Sequence, residues 1–249
     1  MRAFFLEPDW MILVWFLLVL GLLCVAPVHG TGIGVQVSES KIERWTCPDA
    51  KGHEITLERT TLVIENKTDA LPELSAFMPP QVWLLLEQVA QLSTRAFNAA
   101  KFMGTPATPE DFFRHLANEL SWPYRTFEFS FVVARDSVGA LLGAVFFSPR
   151  ELMLDYVDAY QISLTEGQLK TIVFPSELCV HPSAQGRGIG TLLLFSDKQA
   201  QAILLWIDLA NMRARSFYKK HGFIELDQYV ESYPDDEGQF MPCLWKRHG

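Results

Sequence analysis

The stretch Val180–Leu194 reads "VHPSAQGRGIGTLLL". It sets Gly186, Gly188, Gly190 and Arg187 between a β-rich run, "KTIVFPSELCV" (170–180), and an apolar run with helical character, "GTLLLFSDKQAQA" (190–202). The first N–H groups of a helix have no partner inside it, and the helix dipole adds partial positive charge there. Glycines remove side chains that would block close approach. The stretch therefore suits a phosphate or pyrophosphate, and Arg187 adds charge. The alternative is a turn that only joins strand to helix. Spacing excludes two nucleotide loops. No GxxxxGK[ST] string occurs, and a GxGxxG fingerprint would need glycine where Thr191 or Leu193 stands.

Two motifs then fall at a telling separation. Gln185-Gly186-Arg187-Gly188-Ile189-Gly190 fits Q/R-x-x-G-x-G/A, and Asn211-Met212-Arg213-Ala214-Arg215-Ser216-Phe217-Tyr218 fits N-x-x-A-x-x-[FL]-Y, followed by Lys219-Lys220-His221-Gly222-Phe223. With the strand "ILLWIDLA" (203–210) between them, the chain resembles the GCN5-related N-acetyltransferase (GNAT) superfamily. The resemblance covers roughly residues 53–246 and is strongest over 176–223. It implies an α+β (mixed α/β) GNAT acyl-CoA N-acyltransferase fold, with a central, mostly antiparallel sheet flanked by helices. It also implies acetyl-CoA as co-substrate and a primary amine as acceptor, on a small molecule, a protein or a peptide.

Residue roles follow from the same resemblance. The amides of Gln185, Gly186, Arg187, Gly188, Ile189, Gly190 and Thr191 would hold the CoA pyrophosphate. Leu178, Cys179 and Val180 would meet the pantetheine arm through main-chain groups, in the gap between two splayed strands. Asn211 would hydrogen-bond the pantetheine. Tyr218 would protonate the leaving thiolate, because expulsion of a thiol is easier when a positioned acid meets the sulfur. The other reading of Tyr218 is a core tyrosine packing its helix on the sheet. A general base is less evident. The in-phase strand positions hold Phe174 and Ser176, which serve poorly, and Glu177 lies one position out of phase. A bulge at Pro175 would bring Glu177 round, so Glu177 is a candidate base, set against an ordinary strand-surface carboxylate. His181, before Pro182, reads as a turn histidine. Loss of catalysis within the same fold, leaving an acyl-CoA-binding, membrane-tethered interaction module, is the alternative function.

Composition bounds the partners. The net charge of −8 argues against nucleic acid, which needs a basic face. None of the four cysteines forms a Cys-x-x-Cys pair, so no metal site is expected, and a Cys47–Cys243 bridge is allowed but not required. Acidic residues gather at Glu151, Asp155, Asp158 and Glu166, and again at Glu225, Asp227, Glu231, Asp235, Asp236 and Glu237. They read either as solvated loops or as a rim that attracts a cationic amine.

The N-terminus stands apart. Trp10–Val28, "WMILVWFLLVLGLLCVAPV", carries no charge and matches the ~20 apolar residues a helix needs to cross a bilayer. It reads as a single-pass membrane anchor, or as a signal peptide cleaved near "VHG" (28–30) for the secretory pathway. Residues 1–30 are thus the anchor or signal, 31–52 a linker, and 53–249 the catalytic domain. The sequon Asn66-Lys67-Thr68 would matter only on a lumenal face. From residue 53 the elements follow the order β-α-α-β-β-β-α-β-α-β-β.

Overall fold

The computed structural model describes residues 35–67, 73–98, 108–119, 125–232 and 239–247. The run Trp10–Val28 and the acidic residues Asp235–Glu237 lie outside them. Among the described residues no helix is long and apolar enough to cross a membrane.

The domain begins earlier than the composition suggests. Residues 35–48, expected as linker, form β1 (Val35–Pro48), which pairs antiparallel along its length with β2 (Glu54–Asn66). Its polar residues hid it, because β1 is an edge strand with a mostly exposed surface. A register shift between Val37 and Glu39 also breaks its alternation. Val35 and Val37 pack on one face of the sheet, while Trp45 and Cys47 pack on the other. One extra residue in a strand flips every later side chain, which accounts for the switch.

After β2 come a single helical turn, α1 (Leu74–Phe77), and two helices, α2 (Pro80–Asn98) and α3 (Pro109–Glu119). Thr108 caps α3: its Oγ1 accepts from the Asp111 N–H, and Asp111 accepts from the Thr108 N–H in return. The hairpin β3 (Arg125–Asp136) and β4 (Leu141–Phe147) follows. The segment after it holds α4 (Arg150–Ala159) and α5 (Glu166–Thr171). The expected strand 170–180 is two strands, β5 (Ile172–Val173) and β6 (Pro175–Val180). Then come α6 (Ile189–Leu194), β7 (Ala202–Asp208), α7 (Met212–Lys220), β8 (Ile224–Glu225), β9 (Glu231–Ser232) and β10 (Gln239–Lys246).

Two sheets result, β1-β2-β3-β4-β6 and β5-β7-β10-β8, with β9 also on β10. Every pairing is antiparallel except β5 with β7. Alternating side chains of β3 divide the first sheet's packing. Phe127, Phe129, Phe131 and Val133 join α2 and α3, while Val132 and Ala134 join Ile189 and Leu193 of α6. On the second sheet, Ile203, Leu205 and Ile207 face α7, and Ala202, Leu204 and Trp206 face α4 and α5. Asn66, the first residue of the sequon, is buried and paired on both sides, unlike an exposed glycan acceptor. Cys47, Cys179 and Cys243 are all free, so the Cys47–Cys243 bridge does not form.

Gly143 in β4 sets the approach of α6. A Cβ there would lie 2.8 Å from Leu193 Cδ1 and 2.9 Å from the Cys179 carbonyl oxygen. The backbone oxygen cannot give way as a side-chain tip can, so Gly143→Ala is expected to cost about 1–3 kcal/mol. Denaturant unfolding checks this; an unchanged midpoint would contradict the close contact.

Candidate active site

The division between β5 and β6 creates the site. Ile172 and Val173 pair in parallel with Ala202 and Ile203 of β7. At Phe174 the chain turns away: its carbonyl accepts from Ser148 N–H, and from Pro175 onward it pairs with β4. Proline has no N–H with which to continue a ladder. In the described pairing, β7 beyond Ile203 has no strand on this side. β6 and β7 therefore open into a wedge, as expected of the two splayed strands.

The expected bulge is also present. Leu178 pairs with Val145 but Pro175 pairs with Phe147, so Ser176 and Glu177 together oppose Phe146. Above it the register decides which main-chain groups face the wedge. His181 N–H donates to Leu142 O, at 2.8 Å. Hydrogen-bonded pairs alternate along an antiparallel ladder, so the main-chain groups of Cys179 point at β4 and those of Leu178 and Val180 point away from it. Of the three expected residues, Leu178 and Val180 thus offer main chain to the wedge, and Cys179 does not. The Cys179 side chain is buried on the α2 side, and burial, then the Glu177 charge, pushes its thiol up. Strand alternation puts Glu177 on that same face, opposite Val180, so the bulge does not bring Glu177 round to the Val180 side as expected.

The glycine loop closes the top of the wedge. His181 is a turn residue, as read from sequence: its Nδ1 accepts from Ser183 N–H and starts a 3₁₀ turn, Pro182–Ala184. Gly186 (φ +76°) and Gly188 (φ +81°) adopt the left-handed conformation that glycine favours, and Gly188 is the N-cap of α6. The first helical bond is Leu192 N–H to Gly188 O, so the amides from Gly188 to Thr191 have no partner within the helix. Gln185 Nε2 donates to Val180 O at the wedge edge. The Thr191 hydroxyl donates to His221 Nε2 at 2.9 Å, because His221 Nδ1 donates to the Phe217 carbonyl.

Two expectations need correction here. Arg187 does not hold its charge free: its Nε donates to buried Asp49 Oδ2 at 2.8 Å, in the β1–β2 turn. The helix expected through Ala202 stops at Leu194. Asp197 takes the amides of Gln199 and Ala200 and pairs with Arg59, which favours a turn.

Asn211 caps α7, its Oδ1 accepting from Ala214 N–H at 3.0 Å. Tyr218, half-buried on α7, packs with Phe217 and Phe223 against the cluster of Ile203, Leu205, Ile207 and Cys243 that Leu178 also touches. Tyr218 thus packs its helix on the sheet, in the cluster that Leu178 of β6 also joins. Burial, followed by the Cys243 side chain, pushes its phenol well above the usual value, so it stays protonated. Among the described residues its hydroxyl makes no hydrogen bond. Burial pushes the Cys243 thiol up to about 12.

The acidic segments are largely spoken for. Glu225 takes Arg215 through two bonds of 2.8 and 3.0 Å, and Glu166 takes Lys170. Glu231 accepts from the Tyr160 hydroxyl beside an aromatic group of Tyr156, Trp206 and Tyr229. Burial, then Glu231 and Asp155, raises the Tyr156 phenol. No group of three or more His, Cys, Asp or Glu among the described residues is placed to hold a metal ion.

Sequence reasoning missed Gly143, Asp49, His221 and Trp206. Asp49-Ala50-Lys51-Gly52 carries a turn signature that could have found Asp49. Nothing local in the sequence marks the others.

Residues 128–225 match the family model described as the acetyltransferase (GNAT) domain. A search of curated protein sequences finds no significant match. Many solved structures match this chain at low identity. A histone acetyltransferase HPA2 and related acetyltransferase from Corynebacterium glutamicum is 19% identical over 66% of this chain and 92% of its own, with a TM-score of 0.42. The ribosomal-protein-S18-alanine N-acetyltransferase of Escherichia coli is 15% identical over 66% of this chain and 90% of its own, with a TM-score of 0.41. A nourseothricin acetyltransferase is 18% identical over 47% of this chain and 65% of its own, with a TM-score of 0.34.

The Asp49–Arg187 pair has a pH signature. Burial pushes the Asp49 carboxyl up, but bonds from Arg187, His53 and Lys51 outweigh this and hold it well below the ordinary 3.8. A depressed folded-state pKa gives stability that is present above about pH 4 and lost as pH falls further. Asp49→Asn is expected to make the acid limb of a Tm-versus-pH curve shallower below about pH 4. An unchanged limb would contradict the ion pair.

Proposed function

We propose that the domain is an N-acetyltransferase that moves an acetyl group from acetyl-CoA to a primary amine by direct attack on the thioester. The observation that carries this is the wedge above Pro175, whose β6 edge presents the main chain of Leu178 and Val180. An extended acyl-pantetheine arm can take those groups as a neighbouring strand would. The amides from Gly188 to Thr191 then meet the pyrophosphate, and Asn211, with Oδ1 engaged at the helix start, has Nδ2 left for the arm.

The two faces of β6 divide the chemistry. Tyr218 borders the face shared with α7, and Glu177 lies on the face shared with Cys179 and α2. Glu177 takes a proton from the attacking ammonium. The amine nitrogen bonds to the acetyl carbonyl carbon, the carbon–sulfur bond breaks, Tyr218 gives its proton to the departing thiolate, and the second proton shed by the new amide nitrogen returns to the Tyr218 phenolate. The Glu231 carboxylate, which accepts from the Tyr160 hydroxyl beside Tyr156, Trp206 and Tyr229, supports a cationic acceptor, since aromatic faces attract cations. The uncharged run Trp10–Val28 supports a membrane tether for the domain.

Tyr218→Phe keeps the ring packing and removes the acid. Turnover, followed as thiol release from acetyl-CoA over an amine panel, is expected to fall roughly 10²-fold or more. The dissociation constant for CoA should stay within about twofold, since the lost contact acts mainly in the transition state. Equal turnover in variant and wild type would remove Tyr218 from the mechanism. CoA binding with no thiol release from the wild type on any amine would favour the non-catalytic module.

A further inference from the structure

The β1–β2 turn reaches the glycine loop from more than a hundred residues away in sequence, and it holds the loop in three ways. Asp49 Oδ2 accepts from Arg187 Nε at 2.8 Å. Ala50 N–H donates to the Arg187 carbonyl at 2.9 Å. The Ala50 Cβ lies 3.2 Å from where a side chain on Gly188 would begin, and Gly188 is left-handed at φ +81°. The turn is rigid in its own right: Asp49 Oδ1 accepts from the N–H groups of Lys51 and His53, at 2.8 and 2.9 Å, and Asp49 N–H donates to His53 O. The Asp49 side chain is wholly buried. His53 Nδ1 lies 3.2 Å from Oδ2 and is the other group facing it.

This arrangement is costly unless it does something. A buried carboxylate loses its hydration and is tolerated only when paired and hydrogen-bonded. A guanidinium in a glycine loop would ordinarily serve as a direct phosphate contact. Here Arg187 is turned from the loop toward the protein.

We propose that the Asp49–His53 turn is the positioning element of the acyl-CoA loop. Asp49 draws Arg187 away from phosphate binding and fixes the Arg187–Gly188 backbone, so that the amides from Gly188 to Thr191 converge on the pyrophosphate. Asp49 and Arg187 are positioning residues that act through the loop backbone. This rests on the acyl-CoA reading above. It also ties the donor site to β1, the strand that follows directly on residues 1–34.

A double-mutant cycle on CoA affinity, measured by titration calorimetry on the full chain, tests it. Asp49→Ala and Arg187→Ala are each expected to weaken CoA about tenfold, the size of losing a hydrogen bond to a charged partner. The double variant should be no weaker than either single, because both remove one unit. The loss should appear in KM for acetyl-CoA, with kcat moved by about twofold or less. The dependence of CoA affinity on salt should be the same in Arg187→Ala as in the wild type, since no phosphate contact is removed. Asp49→Asn, which keeps the shape of the turn, should weaken CoA in the same direction and serves if Asp49→Ala does not fold. The proposal is overturned if removing Asp49 leaves CoA binding equal or tighter while Arg187→Ala weakens it and flattens the salt dependence. Arg187 would then be a phosphate ligand that Asp49 restrains. A wild-type chain that binds no CoA overturns the acyl-CoA reading itself, and the latch with it.

Discussion

The structure turns on the inability of Pro175 to continue a ladder. β5 and β7 are in parallel register at Ile172–Ala202 and Val173–Ile203. Had the register continued, the two sheets would have fused and the edges of Leu178 and Val180 would have been filled by β7. Without an N–H at 175, and with the Phe174 carbonyl already bonded to Ser148, the chain passes to β4 instead. The bulge at Ser176–Glu177 absorbs the change of partner. A wedge between two otherwise paired strands is thus written into a single residue.

Everything around the wedge follows from where β6 ends. The strand delivers the chain to His181 and the 3₁₀ turn, and the two left-handed glycines then reverse it into α6. Gly143 lets α6 lie close on β4. Three contacts then register the loop against the rest of the domain: Gln185 on Val180, Thr191 on His221, and Arg187 on Asp49. None of them uses a loop amide of the helix start, so the donors stay available. Tyr218 and Glu177 fall to opposite faces of β6 because Leu178 and Cys179 are neighbours in a period of two.

Much of this was legible in the sequence. The glycine loop between strand and helix and the bulge after Pro175 rest on local chemistry, and each is found. The site contacts that were missed are long-range. Asp49 lies 138 positions from Arg187, so no local pattern signals that the loop arginine is already engaged. β1 has the composition of a linker because an edge strand needs little apolar surface, and its bulge removes the alternation that marks a strand. "GTLLLFSDKQAQA" has ordinary helical content throughout, while the tertiary pair Arg59–Asp197 favours a turn after Leu194. The two readings of the acidic segments stay open in the sequence because their partners, Arg215 and Lys170 among them, are assigned only in three dimensions.

Amide hydrogen exchange in the free chain and with acetyl-CoA bound tests the central claim most directly. The amides of Leu178 and Val180 point into the wedge and should exchange fast in the free chain and become protected on binding. The Cys179 amide, committed to β4, should be protected in both states. Protection that leaves Leu178 and Val180 unchanged, or that falls on strands away from the wedge, would contradict the account.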